Sequence, residues 1–238
     1  MKKLSALFLF ALLSVFAQSC VFIGEGTLAP LDNDSRNFDL RDFDQLEIGN
    51  AFDVTVRQSG RFSIFVRGDR RDIQDLDVYV DRSGKLVMRY RNWRLRRYDM
   101  DVEITMPTLR GIDFSGATNS SISGFGNIRD LDVELSGASK STIDGDWERV
   151  NINISGASDL NLRGQGLSLG GELSGASRLD AFNYPVDNVD LDLSGGSNAR
   201  VLVGKTLRVN ASGGSTLRYR GTPELRSNIS GGSTVKPD

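Results

Sequence analysis

Ser115-Gly116-Ala117-Thr118 is the first of seven near-identical phrases in this chain. The others are Ser136-Gly137-Ala138-Ser139, Ser155-Gly156-Ala157-Ser158, Ser174-Gly175-Ala176-Ser177, Ser194-Gly195-Gly196-Ser197, Ser212-Gly213-Gly214-Ser215 and Ser230-Gly231-Gly232-Ser233. Their first residues fall 21, 19, 19, 20, 18 and 18 positions apart. A fixed period near twenty residues marks a solenoid with one supersecondary unit per repeat.

The residues before each phrase identify the solenoid. One position before the first Ser stand Phe114, Leu135, Ile154, Leu173, Leu193, Ala211 and Ile229. Five before stand Arg110, Leu131, Val150, Leu169, Val189, Leu207 and Leu225. Between them, two before the Ser, come Asp113, Glu134, Asn153, Glu172, Asp192, Asn210 and Asn228. Apolar and polar residues alternate with period two, the pattern of a strand with one buried face. The alternation resumes after the phrase, as in Leu160-Asn161-Leu162 and Ala199-Arg200-Val201. Each repeat reads strand, tight Gly turn, strand, return loop. The chain is therefore all-β, a single-domain parallel β-helix with coils of about 19 residues.

The phrase has a structural reason. A corner needs a residue that reaches positive φ, and Gly does so without a Cβ penalty. Small neighbours let corners stack at the strand spacing, and Ser or Thr hydroxyls bond nearby backbone. Seven equivalent Ser, none of them the centre of a G-x-S-x-G elbow, suit a ladder better than a nucleophile.

Composition narrows the function. The 238 residues, about 200 of them in the strand-rich body, suffice for one core. Formal charge is −2, which points to no special partner. A single Cys excludes an intramolecular disulfide framework. The absence of His removes the commonest general base and a common metal ligand. No cofactor and no metal are implied.

Residues 1–19 read as a signal peptide. Lys2 and Lys3 precede an apolar run from Leu4 to Ala17, interrupted by Ser5 and Ser14. The run is short for a membrane span and suits export. Val15-Phe16-Ala17 permits cleavage after Ala17. Ala17-Gln18-Ser19-Cys20 resembles a bacterial lipobox, with Ala17 where an aliphatic residue is usual. The sole Cys falls at this place, which favours lipidation at Cys20 and an outer-membrane lipoprotein of the cell envelope. The mature chain then carries 27 basic and 31 acidic residues, a formal −4. Residues 20–37, rich in Gly, Pro, Asp, Asn and Ser, read as a tether. The β-helix domain is expected over 38–238.

Leu46–Ile48, Val54–Val56, Phe62–Val66, Leu76–Val80 and Leu86–Tyr90 read as strands. Gly49-Asn50-Ala51 follows Leu46-Glu47-Ile48 as Ser115-Gly116-Ala117 follows Ile112-Asp113-Phe114. A divergent first coil is expected there, within one continuous domain.

The run from Phe43 to Val56, Phe-Asp-Gln-Leu-Glu-Ile-Gly-Asn-Ala-Phe-Asp-Val-Thr-Val, resembles the opening of the bacterial head GIN domain. Val66-Arg67-Gly68-Asp69 and the Ser-Gly-small-Ser repeats follow as in that family, called putative auto-transporter adhesin. The resemblance covers residues 40–238. It implies a β-helical, exported protein of Bacteroidetes-type cell envelopes, and it brings no catalytic residue set.

Three features carry charge in patterns. The segment Arg89 to Tyr98 holds Arg89, Arg91, Arg94, Arg96 and Arg97 with Tyr90, Trp93 and Tyr98. Arg forks and aromatic faces suit an acidic glycan or envelope polymer. Arg89, Arg91, Trp93, Arg94, Arg96 and Arg97 are the candidate ligand-binding residues. The bland reading is a solvated hairpin whose Arg stems cover Trp93. Nucleic acid would use the same groups, but export argues against it. The column from Asp113 to Asn228 offers hard oxygen ligands, at one side chain per coil, too sparse for calcium. The C-terminal end is basic: Arg200, Lys205, Arg208, Arg218, Arg220, Arg226 and Lys236 oppose Glu224 and Asp238.

Two function classes follow. The first is a non-enzymatic cell-envelope protein, an adhesin or binding scaffold held to the membrane through the N-terminal lipid. The second, by fold analogy, is a polysaccharide lyase or hydrolase of the pectinase-like β-helix type. Such an enzyme needs acids or a base gathered in one groove, whereas here the acids are spread one per coil.

Overall fold

A computed structural model describes residues 31–92 and 97–238. The signal segment, Cys20, Trp93, Arg94 and Arg96 lie outside the described residues. The first strands are β1 (Asn33–Phe38), β2 (Gln45–Ile48), β3 (Phe52–Gln58) and β4 (Ser63–Asp69). A one-turn helix α1 (Arg70–Gln74) leads to β5 (Leu76–Val80), β6 (Lys85–Tyr90) and β7 (Met100–Met106). Then come β8 (Gly111–Phe114), β9 (Asn119–Leu135), β10 (Lys140–Ile154), β11 (Asp159–Gln165) and β12 (Ser168–Leu173). The chain finishes with β13 (Arg178–Leu193), β14 (Asn198–Ala211), β15 (Thr216–Arg220), β16 (Glu224–Ile229) and β17 (Thr234–Pro237). The result is a parallel β-solenoid of about seven turns with ~19-residue coils.

The alternation in the sequence becomes columns. Leu131, Val150, Leu169, Val189 and Leu207 stand in one register, rung over rung, and all are buried. Each such side chain contributes roughly 1.5–3 kcal/mol on leaving water. On the third side, Trp147 is buried against Phe125, with ring centroids 6.1 Å apart. Its Nε1 donates to the Leu109 carbonyl at 3.1 Å, and the Tyr184 hydroxyl donates to the Trp147 carbonyl at 2.8 Å. Burial is the main force that pushes the Tyr184 hydroxyl pKa up to about 12.

The corners follow from the repeated phrase. Gly175 sits at φ 72°, and a Cβ there would lie 2.5 Å from the Gly156 carbonyl oxygen of the coil before. The next residue, Ala176, donates its N–H to that oxygen at 2.8 Å. The last Ser or Thr of the phrase turns inward: Thr118, Ser139, Ser158, Ser177, Ser197 and Ser215 are fully buried. Ser139 Oγ donates to the Ser136 carbonyl at 2.9 Å, while the Ser158 and Ser177 hydroxyls make no hydrogen bond.

The divergent coil is present. β2 pairs in parallel with β8, Ile48 opposite Phe114, and Ala117 N–H donates to the Asn50 carbonyl at 2.8 Å. Asn50 holds φ 74°, the place Gly takes in the other corners. Its position in the stack is unexpected. β6 and β7 pair in parallel with the opposite edges of β2 and β3, so the later segment forms the outermost coil.

Around that coil the chain turns antiparallel: β5 on β6, β4 on β7 and β1 on β4. Residues 33–37, expected in the tether, are therefore strand. Their side chains are polar because β1 is an edge with little to bury. At the other end β16 is exposed along its whole length, including Leu225 and Ile229.

Candidate functional site

The arginine segment divides on inspection. Arg89 lies on β6, more than half exposed, 3.5 Å from Asp77 and over the Tyr79 ring. Arg91 is exposed, and its backbone N–H donates to the Asp75 carbonyl at 2.9 Å. Arg97 is different. Its side chain is 14 % exposed, Nη1 donates to Asp72 Oδ1 at 2.8 Å, and Nη2 reaches Asp75 and the Asn92 carbonyl. The guanidinium lies 3.7 Å from the centre of the Tyr90 ring. Asp72 also accepts the Tyr98 N–H at 3.0 Å. Burial works against the Arg97 charge, but Asp72 and Asp75 outweigh it and hold its pKa above the ordinary value.

Arg97 is thus a fastener. It ties the segment before β7 to α1, whose N-cap Asp69 accepts the Arg71 N–H at 3.0 Å. The guanidinium of Arg97, expected to meet a ligand, is engaged within the chain by Asp72, Asp75 and the Asn92 carbonyl. Arg89 and Arg91 keep exposed side chains.

The acidic column is a ladder on one sheet face. Glu47, Asp113 and Glu134 occupy successive rungs, followed by Asn153, Glu172, Asp192, Asn210 and Asn228. Lys85 Nζ reaches Glu47 at 3.3 Å, and Asn210 donates to Asp192 at 2.6 Å. Burial first, then Glu134 and Glu47, push the Asp113 carboxyl pKa up. Among the described residues no three His, Cys, Asp or Glu side chains group closely enough to hold a metal ion.

A groove of about 650 Å³ runs along the same face beside Gly170, where a rung lacks a side chain. Two of its charge pairs cross rungs, Arg149 with Asp130 at 2.6 Å and Arg208 with Asp190 at 3.0 Å, and Arg226 pairs with Glu224 of its own strand at 2.7 Å. A second groove of about 750 Å³ follows the third side, over Trp147 and the exposed Leu167.

The basic end gathers on the second sheet face. Asp180, Arg200, Arg218 and Lys236 stand on four successive rungs of one column. A cleft of about 340 Å³ is lined by Arg178, Asn198, Arg200, Thr216, Arg218 and Asp238. Arg200 and Arg220 both stack on Phe182, 4.4 and 4.0 Å from its ring centre. Asp238 accepts from Arg220 at 2.7 and 3.1 Å and lies 3.8 Å from Arg218. The hydrogen bond from Arg220 leads in holding its carboxyl below the usual range. Sequence reading counted these charges but had no signal for Phe182, which follows the Arg200 column only once coils stack.

A sequence-family model described as "Putative auto-transporter adhesin, head GIN domain" matches residues 42–223. Among curated proteins no relative matches. The fold is similar to that of a "putative adhesin" from Bacteroides fragilis, with TM-score 0.80 and 20% identity over 90% of this chain and 100% of that one. It is also similar to a "putative lipid binding protein" from Parabacteroides distasonis, with TM-score 0.71 and 14% identity over 90% and 100%. A "putative adhesin" from Parabacteroides merdae gives TM-score 0.66 and 16% identity over 88% and 98%. At these identities the likeness is one of fold.

Proposed function

Because the chain belongs to the family described as "Putative auto-transporter adhesin, head GIN domain", we propose that it is a non-enzymatic binding protein of the cell envelope. In this reading residues 1–19 direct export, Cys20 carries the lipid, and exposed arginines on the solenoid meet an acidic glycan or envelope polymer. The observation that carries it is the pairing of charges across rungs. Asp130–Arg149, Asp190–Arg208 and Asp187–Lys205 lie within 3.0 Å, each pair joining neighbouring coils. Such pairs fix an outward surface and engage three carboxylates that a glycan-cleaving groove could otherwise use.

The test puts one pure protein through two assays. A glycan array should show retention on acidic glycans, and a reducing-sugar assay on the retained glycans should show no release. Sugar release would overturn the non-enzymatic reading, and an array blank for acidic glycans would overturn the choice of ligand. For the anchor, labelled palmitate should enter wild type and not Cys20→Ser; equal labelling would remove the lipid.

A further inference from the structure

The column Arg200–Arg218–Lys236 sets three cations on neighbouring rungs. Rungs repeat at roughly 4.8 Å, and like charges directly opposite each other destabilise a sheet. Shorter charge contacts occur elsewhere: Arg149 stands over Asp130, and Arg208 stands between Asp190 and Arg226. Asp180, 3.2 Å from Arg200, and Asp238, 3.8 Å from Arg218, offset only part of the repulsion along this column, which leaves positive charge for a partner.

The local surroundings specify that use. Arg178, Asn198, Arg200, Thr216 and Arg218 present donor groups around one cleft of about 340 Å³, within the size range of small-ligand sites. Arg200 and Arg220 are held in place by stacking on Phe182, which reduces the ordering cost of binding. The side chains of Arg200, Arg218 and Arg220 remain 44 to 53 % exposed. Five cations (Arg178, Arg200, Arg218, Arg220, Lys236) face three acids (Asp159, Asp180, Asp238). The chain also shows what the arginines accept: the Asp238 carboxylate sits on Arg220 at 2.7 Å with Arg218 near by. Arg forks match planar oxyanions of this kind in two-pronged fashion.

We propose that this cleft is a binding site for an acidic saccharide, taking a sugar carboxylate or sulfate on Arg200 and Arg218 with the chain continuing along the rungs past Lys236. The site deepens the envelope-binding reading and rests on it, but moves the main contact away from the Arg89–Tyr98 segment. Asp238 then acts as an internal competitor for the incoming oxyanion.

The test measures binding of the purified full chain to immobilised polygalacturonate, dextran sulfate and neutral dextran at low salt. The two acidic polymers separate carboxylate from sulfate recognition. The double variant Arg218→Gln/Lys236→Gln should bind the preferred polymer about tenfold more weakly or worse, the scale of one lost charge-assisted hydrogen bond. Asp238→Asn should bind it more tightly, an opposite change from adjacent residues that a merely structural role would not produce. Arg89→Gln/Arg91→Gln should bind as wild type. Thermal melting confirms that each variant is folded, and Arg218→Lys, which keeps the charge, should retain most of the binding. Unchanged binding by the Arg218/Lys236 variant, or weaker binding by Asp238→Asn, overturns the site. If Arg89→Gln/Arg91→Gln alone loses binding, the site falls while the acidic-polymer reading stands. Wild type that binds neither polymer better than neutral dextran overturns both.

Discussion

Two arginine-rich regions lie at opposite ends of the solenoid, and they use the same side chain in opposite ways. At the capped end Arg97 is 14 % exposed and enclosed by Asp72, Asp75 and Tyr90. At the C-terminal end of the described residues Arg200, Arg218 and Arg220 are 44 to 53 % exposed and outnumber their acids. The first arrangement spends its charge on holding the cap, and the second leaves charge for a partner. Local arginine density therefore does not mark a binding site; the ratio of arginines to reachable carboxylates does. The difference has a backbone origin. Antiparallel β1, β4 and β5 and helix α1 wrap the outermost coil, bringing acids from elsewhere in the chain to Arg97.

The largest expected effect breaks the cap. Arg97→Ala removes a largely buried cation shared by Asp72 and Asp75 and should cost about 3 kcal/mol in chemical denaturation. Arg220→Ala, which removes an exposed pair, should cost about 1 kcal/mol or less. Equal losses at the two sites would erase the distinction between the ends. Next comes the corner ladder. Gly175→Val forces a β-branched residue to φ 72° in the middle of the stack, at about 2 kcal/mol or more. Gly231→Val meets the Gly213 carbonyl oxygen 2.7 Å from its Cβ, but should cost less because, among the described residues, the flanking strands β16 and β17 each pair with a single neighbour. Ser177→Ala should shift the melting temperature little, since that hydroxyl has no partner. If Gly231→Val proved as damaging as Gly175→Val, the last coil would be as constrained as the middle.

The smallest effect is a pH dependence. The folded-state pKa of Asp113 is raised above its unfolded value, by burial first and then by Glu134 and Glu47. The fold therefore holds a proton on Asp113 more readily than the unfolded chain does. Its ionised form disfavours the fold at neutral pH, and the penalty is relieved as pH falls through the raised pKa. Asp113→Asn should accordingly be slightly more stable than wild type at pH 7, with the gap closing toward pH 4. A gap that widens on acidification would reverse the assigned direction.

The solenoid was legible because its corner chemistry repeats. Every coil needs a left-handed residue followed by small ones, so the phrase recurs at the coil period, and inward columns require the flanking alternation. Even the degenerate corner at Asn50 was visible by alignment with Gly116. The cap was not legible. β6 and β7 carry no corner phrase, so nothing in the sequence places them outside β2 and β3. Asn33 to Asn37 reads as polar linker because an edge strand buries little. The role of Arg97 depends on Asp72 and Asp75, 25 and 22 positions away, across a change of strand direction. At the basic end the charges could be counted from sequence, but their column, their cleft and the Phe182 beneath them exist only once rung is matched to rung.

Hydrogen–deuterium exchange with and without the preferred acidic polymer tests the contrast between the ends most directly, because one experiment reads both. The account predicts slowed exchange over residues 198–220 and 234–238, with residues 70–98 unchanged. Slowing confined to 85–98, with the C-terminal rungs unaffected, would contradict it.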